Sequence, residues 1–236
     1  MRAVAATLAA TAATLVLAPA ASAATPPEVR HLVAFRSGTT HQSSVTASPT
    51  VVRVRGRRCG VAAGTALAAL VRREPMVRLR DFGSCSRRRR DAGGLFVSAI
   101  GSEANFQRSG WVYKVNNRLA TTGAADPSGP FGRGRIRDGS KITWLYCRYR
   151  RGGCQRTLDV RLVPTPGLLT VQVLSYDDRG RAQLVAGASV KGLSSPPART
   201  GPDGLVRFPS SSSSQYNVWA SLPGAVRSHT ETAVVP

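Results

Sequence analysis

Lysine is nearly missing from this chain: Lys114, Lys141 and Lys191 are the only three among 236 residues, against 30 arginines. Acidic side chains are scarce too, 12 against 33 basic ones, which leaves a formal net charge of +21. Such a balance excludes a surface of evenly paired ions and creates a field that draws in polyanions, with an affinity that falls as salt rises. Three histidines and four cysteines leave little for a metal cluster. After residue 24 no apolar run is long enough to span a bilayer. Reaction motifs are lacking as well: there is no Gly-x-Ser-x-Gly elbow, phosphate loop, His-Glu-x-x-His or Ser-x-x-Lys. The chain is therefore expected to be non-enzymatic and to need no cofactor. Asp177-Asp178 is the one pair of adjacent carboxylates placed to attract a catalytic reading, and Asp-Asp-x-Gly is better explained as a turn.

What is present is enough apolar material, 42% of residues, to build real cores in one or two domains. Arg2 precedes an uncharged Ala-, Thr- and Leu-rich stretch that ends in Ala21-Ser22-Ala23. A positive start, an apolar middle and a small-x-small end read as a secretory signal over residues 1–23, cleaved after Ala23. The expectation is an exported protein of the cell envelope or extracellular space, with no transmembrane anchor once the leader is removed.

Export changes the meaning of Cys59, Cys85, Cys147 and Cys154. In an oxidising compartment an even set of cysteines is read first as disulfides, and four allow three connectivities. Cys147 and Cys154 bracket a short loop with Gly152-Gly153 that suits a hairpin staple, which leaves Cys59 for Cys85. The competing reading, a four-cysteine zinc site, lacks the close spacing of a zinc knuckle. A nucleophilic cysteine would need a base, and His31, His41 and His229 are expected in tails.

Residues 24–49 are rich in Ser, Thr and Pro and read as a flexible entry segment, with one short strand at most around His31–Phe35. Val51–Arg55 alternates as a half-buried strand should. Thr65 is placed to cap a helix in which Leu67, Leu70 and Val71 form one stripe, and Pro75 ends it. Strands are predicted around Val77, at Leu95–Ile100, at Gly110–Val115, at Lys141–Cys147 and at Thr157–Val163, the last closing the first unit. Trp111, Tyr113 and Val115 share one face of their strand, and Ile142, Trp144 and Tyr146 share one face of theirs. Pro164-Thr165-Pro166-Gly167 reads as a linker. Beyond it, short strands with frequent turn signals predict an all-β sandwich over 168–236. The fold class expected is α+β: a small, mainly antiparallel or mixed sheet domain with one helix over 50–163, then the sandwich.

Two resemblances rest on these residues. Val51–Val54, Thr65–Leu70, Gly110-Trp111-Val112-Tyr113-Lys114-Val115-Asn116 and Asp138–Trp144 together resemble the transcobalamin C-terminal-like domain, a DUF4430-type family of exported bacterial proteins. Gly187–Val190, Thr200–Phe208 and Gln215–Ala220 resemble the carboxypeptidase regulatory-like, prealbumin-like sandwich. The first resemblance implies a compact sheet with one helix and a small hydrophobic or corrinoid-like ligand, with Trp111, Tyr113 and Asn116 as candidate contacts. The reading of these aromatics from the residues alone is a sheet core. The second resemblance implies a spacer or adhesive module.

Charge is placed unevenly. Residues 24–163 carry a net +18 and residues 164–236 only +2. Arg87, Arg88, Arg89 and Arg90, with Arg148, Arg150 and Arg151, are the candidate anion-binding residues, and Arg57-Arg58 is a further basic pair. Export makes an anionic cell-envelope polymer a more available partner than nucleic acid, for which no specific binding is expected. Two expectations stand: a small-ligand or envelope-binding module with a spacer sandwich, and a structural or adhesive surface protein that grips anionic polymers through its arginine-rich first domain.

Overall fold

A computed structural model describes residues 25–150, 152–194 and 196–236. The leader assigned to 1–23, and Arg151, lie outside the described residues. The first half runs β1 (Glu28–Ala34), β2 (Thr40–Thr46), β3 (Thr50–Val54), β4 (Arg57–Val61), α1 (Ala66–Arg73), β5 (Val77–Asp81), a single 3-10 turn (Arg89–Gly94), β6 (Leu95–Ile100), β7 (Glu103–Ala104), β8 (Gly110–Val115), β9 (Arg118–Leu119) and β10 (Lys141–Cys147). The second half runs β11 (Thr157–Thr165), β12 (Leu168–Tyr176), β13 (Ala182–Leu184), β14 (Ser189–Lys191), β15 (Ala198–Arg199), β16 (Leu205–Pro209), β17 (Gln215–Ser221) and β18 (Glu231–Val234). The protein is mostly strand, in several mainly antiparallel sheets, as expected for a helix-poor sheet domain followed by a sandwich.

The helix forms where Thr65 caps it: its hydroxyl accepts from the Ala68 N–H at 3.2 Å, and Arg72 and Arg73 lie in the last turn, where the helix dipole favours cations. Leu67 and Leu70 are fully buried, each contributing about 1.5–3 kcal/mol through removal from water. They pack with Val29, Val33, Trp111, Tyr113, Ile142 and Trp144 in one core.

The central sheet has the order β2-β1-β10-β8-β9, with β1 and β10 parallel and the other neighbours antiparallel. Of the segment 24–49 expected to be a flexible entry, residues 28–34 and 40–46 are strands instead: β1 is an inner strand of this sheet, with Val29, Leu32 and Val33 fully buried. The apolar island is short, but hydrogen-bonded partners on both edges supply what its length does not. His31 lies buried on β1 and His229 is buried after β17, so neither belongs to a tail; His41 sits on β2 against Glu74.

β11 does not close the first unit. It pairs antiparallel with β12 from Thr157↔Tyr176 to Thr165↔Leu168, so Pro164 and Thr165 end a strand and Gly167, at φ 74°, turns a tight hairpin instead of forming a linker. Pro164 is tolerated because β11 is an edge strand, where a missing N–H breaks no second ladder. The sandwich comprises β11-β12-β13 with β16 beside β12, facing β15-β14-β17-β18. Leu158, Leu169, Val171, Val190, Val218 and Val235 fill the space between these sheets.

Strand alternation gives the central sheet two faces. One carries Val29, Val33, Ile142 and Trp144 to the helix side. The other, with Arg30, Lys141, Thr143, Leu145 and Lys114 in register, meets the sandwich. Glu231 accepts from Arg30 at 2.7 Å and forms an ion pair with Lys141 at 2.8 Å, while Lys141 also donates to Asp159 at 2.7 Å. Lys114 and Lys141 thus become interface residues.

Candidate anion-binding cleft

The cysteines pair as Cys59–Cys85 and Cys147–Cys154, with Cα separations of 5.3 and 5.0 Å, so no four-cysteine metal site is formed. The second staple closes a hairpin in which Arg150 and Gly153 bridge, and Gly153, at φ 113°, leaves room for the Asp178 carboxylate. This loop forms one wall of a cleft of about 840 Å³ between the two halves of the protein.

The floor of the cleft is the small apolar cluster of Ala34, Leu145 and Val226. Around it converge Arg36, Arg148, Arg150, Arg156, Lys191 and Arg227. Several are held in place. Arg148 Nη2 donates to the Arg36 carbonyl at 2.8 Å, Arg156 Nε donates to Ser175 Oγ at 2.9 Å, and Arg227 Nη2 donates to Gln42 Oε1 at 2.6 Å. Trp219, half-buried on β17, carries Lys191 Nζ at 4.5 Å and the Arg227 guanidinium at 4.6 Å from its ring centroid. The ring quadrupole attracts both cations and fixes their heads without consuming their charge.

The cleft holds two carboxylates, Asp177 and Asp178, and they point to different partners. Asp177 accepts backbone N–H groups from Arg181 and Arg179 and the Arg181 Nε at 2.6 Å, the turn expected from the sequence. Those hydrogen bonds, led by the Arg181 backbone, hold its pKa down at about 2. Asp178 faces Lys114 Nζ at 3.0 Å and accepts the Cys154 N–H at 2.9 Å. Both acids are thereby engaged, and the surplus of positive charge faces the opening.

The structure separates the candidate residues read from the sequence. Arg148 and Arg150 line the cleft; Arg87 and Arg88, just before the 3-10 turn, and Arg89 and Arg90, at its start, are exposed and do not. Trp111 and Tyr113, the candidate ligand contacts, point into the core: they are 3% and 6% exposed, Trp111 Nε1 donates to the Glu103 carbonyl at 2.7 Å, and the Tyr113 hydroxyl donates to the Thr122 carbonyl at 3.2 Å. Their alternation with Trp144 and Tyr146 makes them core, and burial pushes the Tyr113 hydroxyl up to about 12. Asn116 occupies a left-handed turn position, φ 48°, and accepts the Lys141 N–H at 2.9 Å. Sequence reasoning missed Arg36, Arg156, Lys191, Trp219 and Arg227, whose only signal was their residue type, since the chain brings them together from both halves.

A second, shallower groove of about 530 Å³ on the first half is bordered by Arg53, Arg55, Arg78 and Arg80 around Phe96. Among the described residues, no helix is long and apolar enough to cross a membrane. No family model matches the chain, and neither curated proteins nor solved structures give a match.

Proposed function

We propose that this is an exported, non-enzymatic protein that binds an anionic cell-envelope polymer in the cleft between its two halves. The observation that carries the reading is the convergence of six cationic side chains on a cleft whose two carboxylates are already engaged. Guanidinium groups present planar pairs of donors suited to phosphate or carboxylate oxygens, and a partly desolvated cleft strengthens each contact relative to open surface. The two disulfides fit an oxidising compartment, where such polymers are exposed. The sandwich then contributes one wall of the site through Lys191, Trp219 and Arg227, beyond acting as a spacer.

The test is binding of the purified chain to immobilised poly(glycerol phosphate), with a neutral glycan as control, over a salt series. Binding should be confined to the polyanion and weaken steeply with salt. Replacing Arg148, Arg150 and Arg227 together by Ser should weaken it at least tenfold, while replacing Arg87 to Arg90 by Ser should cost less despite removing more charge. Equal losses in the two variants would place binding in the general field of the protein and not in the cleft.

A further inference from the structure

Arginine supplies nearly all of this protein's positive charge, yet among the described residues a lysine stands at the most deeply buried cationic position. Lys114 is 0% exposed, on the sandwich-facing side of β8. Its Nζ lies 3.0 Å from Asp178 Oδ1, but neither atom has a hydrogen bond of acceptable geometry among the described residues. An ammonium carries three N–H donors, and leaving them unmet in a dry site is costly. An amide nitrogen carries one. The other oxygen, Asp178 Oδ2, is held by the Cys154 N–H at 2.9 Å, and Gly153 leaves space beside it that a Cβ would fill.

We infer that Lys114 and Asp178 condense to an intramolecular isopeptide bond that joins the central sheet to the sandwich covalently. The ammonium passes one proton to Oδ1 across the 3.0 Å contact, leaving a neutral amine and a neutral acid. The amine lone pair attacks Cγ, and the negative charge that develops on Oδ2 is stabilised by the Cys154 N–H. Oδ1 then leaves as water, taking the transferred proton and one amine hydrogen, while the C–N bond replaces the C–O bond. No oxidant or co-reactant is consumed. Burial favours the neutral amine the step needs, pulling the Lys114 pKa below its ordinary range against the pull of Asp178. Arginine could not substitute, because its guanidinium keeps its proton. Asp178 borders the cleft, so the released water has an exit, and the bond removes one carboxylate from the site while fixing the two walls together. Lys141 is a contrasting case: it is partly exposed and shared between Asp159 and Glu231, the arrangement of an ordinary ion network.

The test is tryptic peptide mapping of the purified full chain after reduction and alkylation. The expected product is a branched peptide in which Ser109–Arg118, uncut at Lys114, is joined to Leu162–Arg179 with the loss of one water. Lys114→Arg, which keeps the charge and removes the nucleophile, should give the separate peptides while retaining the circular dichroism of the parent. Recovery of unlinked peptides from the parent protein, or a water loss that persists in Lys114→Arg or maps to Lys141, would overturn the assignment. Because the readout is covalent mass, it is independent of whether the cleft binds a polyanion.

Discussion

Thr143 on the central sheet and His229 on the sandwich meet at 3.0 Å, hydroxyl to Nε2, inside the seam between the two halves. His229 is only 2% exposed and its Nδ1 has no partner among the described residues. Burial first, then the nearby Arg30 and Lys141, hold its pKa well below the ordinary range. On the same sheet as Thr143, His31, fully buried and with neither ring nitrogen bonded among the described residues, is lowered to about 4 by burial and by Arg73.

These histidines should make folding pH-dependent above the carboxylate range. In the unfolded chain they take up protons near pH 6.5, whereas folded His31 does so only near 4. Stability is therefore full above about pH 6.5 and declines as pH falls, His31 alone accounting for about 3 kcal/mol by pH 4. Urea unfolding at pH 7.5 and pH 5 should show the drop, and His31→Leu should flatten it. A midpoint that does not move between these values would refute neutral burial.

Losing the Cys147–Cys154 staple should lower both binding and stability, whereas losing Cys59–Cys85 should lower stability alone. Its loop is short, so the chain-entropy contribution is about 2–3 kcal/mol, against about 3–4 for the longer Cys59–Cys85 loop. Only the shorter staple holds Arg148 and Arg150 at the cleft. Cys147→Ser with Cys154→Ser should cut polyanion binding several-fold, while Cys59→Ser with Cys85→Ser should lower the melting temperature further with binding kept in the folded fraction.

Trp219→Ala should weaken polyanion binding by about five- to thirtyfold, because Lys191 and Arg227 lose the ring that positions them at about 0.5–1 kcal/mol each. The slope of affinity against salt should change little, since no charge is removed. A variant that lowers the slope as much as Arg227→Ser would show that the ring acts through something other than placement.

Thr65→Ala should destabilise the protein by about 0.5–2 kcal/mol, read as a lower urea midpoint. Its hydroxyl both accepts from Ala68 and donates to the Ala62 carbonyl at 2.9 Å, which Ala cannot replace. Thr65→Ser, which keeps the oxygen, should recover most of the loss.

The local rules were readable along the chain. Thr65 and Pro75 bracket a helix, and the Trp111, Tyr113 and Val115 alternation marks a buried face. The loop between Cys147 and Cys154 is short and glycine-rich enough to be stapled. The entry strand was not readable, because its parallel partner, β10, lies far along the chain and the apolar island His31–Phe35 is too short to declare itself. The boundary at Pro164 failed for a related reason: a Pro-Thr-Pro-Gly stretch turns a hairpin as readily as it separates domains, and β11 is held by its pairing with β12.

Composition and periodicity by themselves determined the strand-rich class, the single capped helix, the aromatic face of the first core and the excess of positive charge, since each depends on neighbours a few residues apart. Tertiary structure alone decided which positive charges matter. It left Arg87 to Arg90 on open surface, gathered Arg36, Arg148, Arg150, Lys191 and Arg227 around one cleft, and buried Lys114 against Asp178, because the cleft and the buried pair join segments far apart in the chain and exist only when two folded halves close on each other.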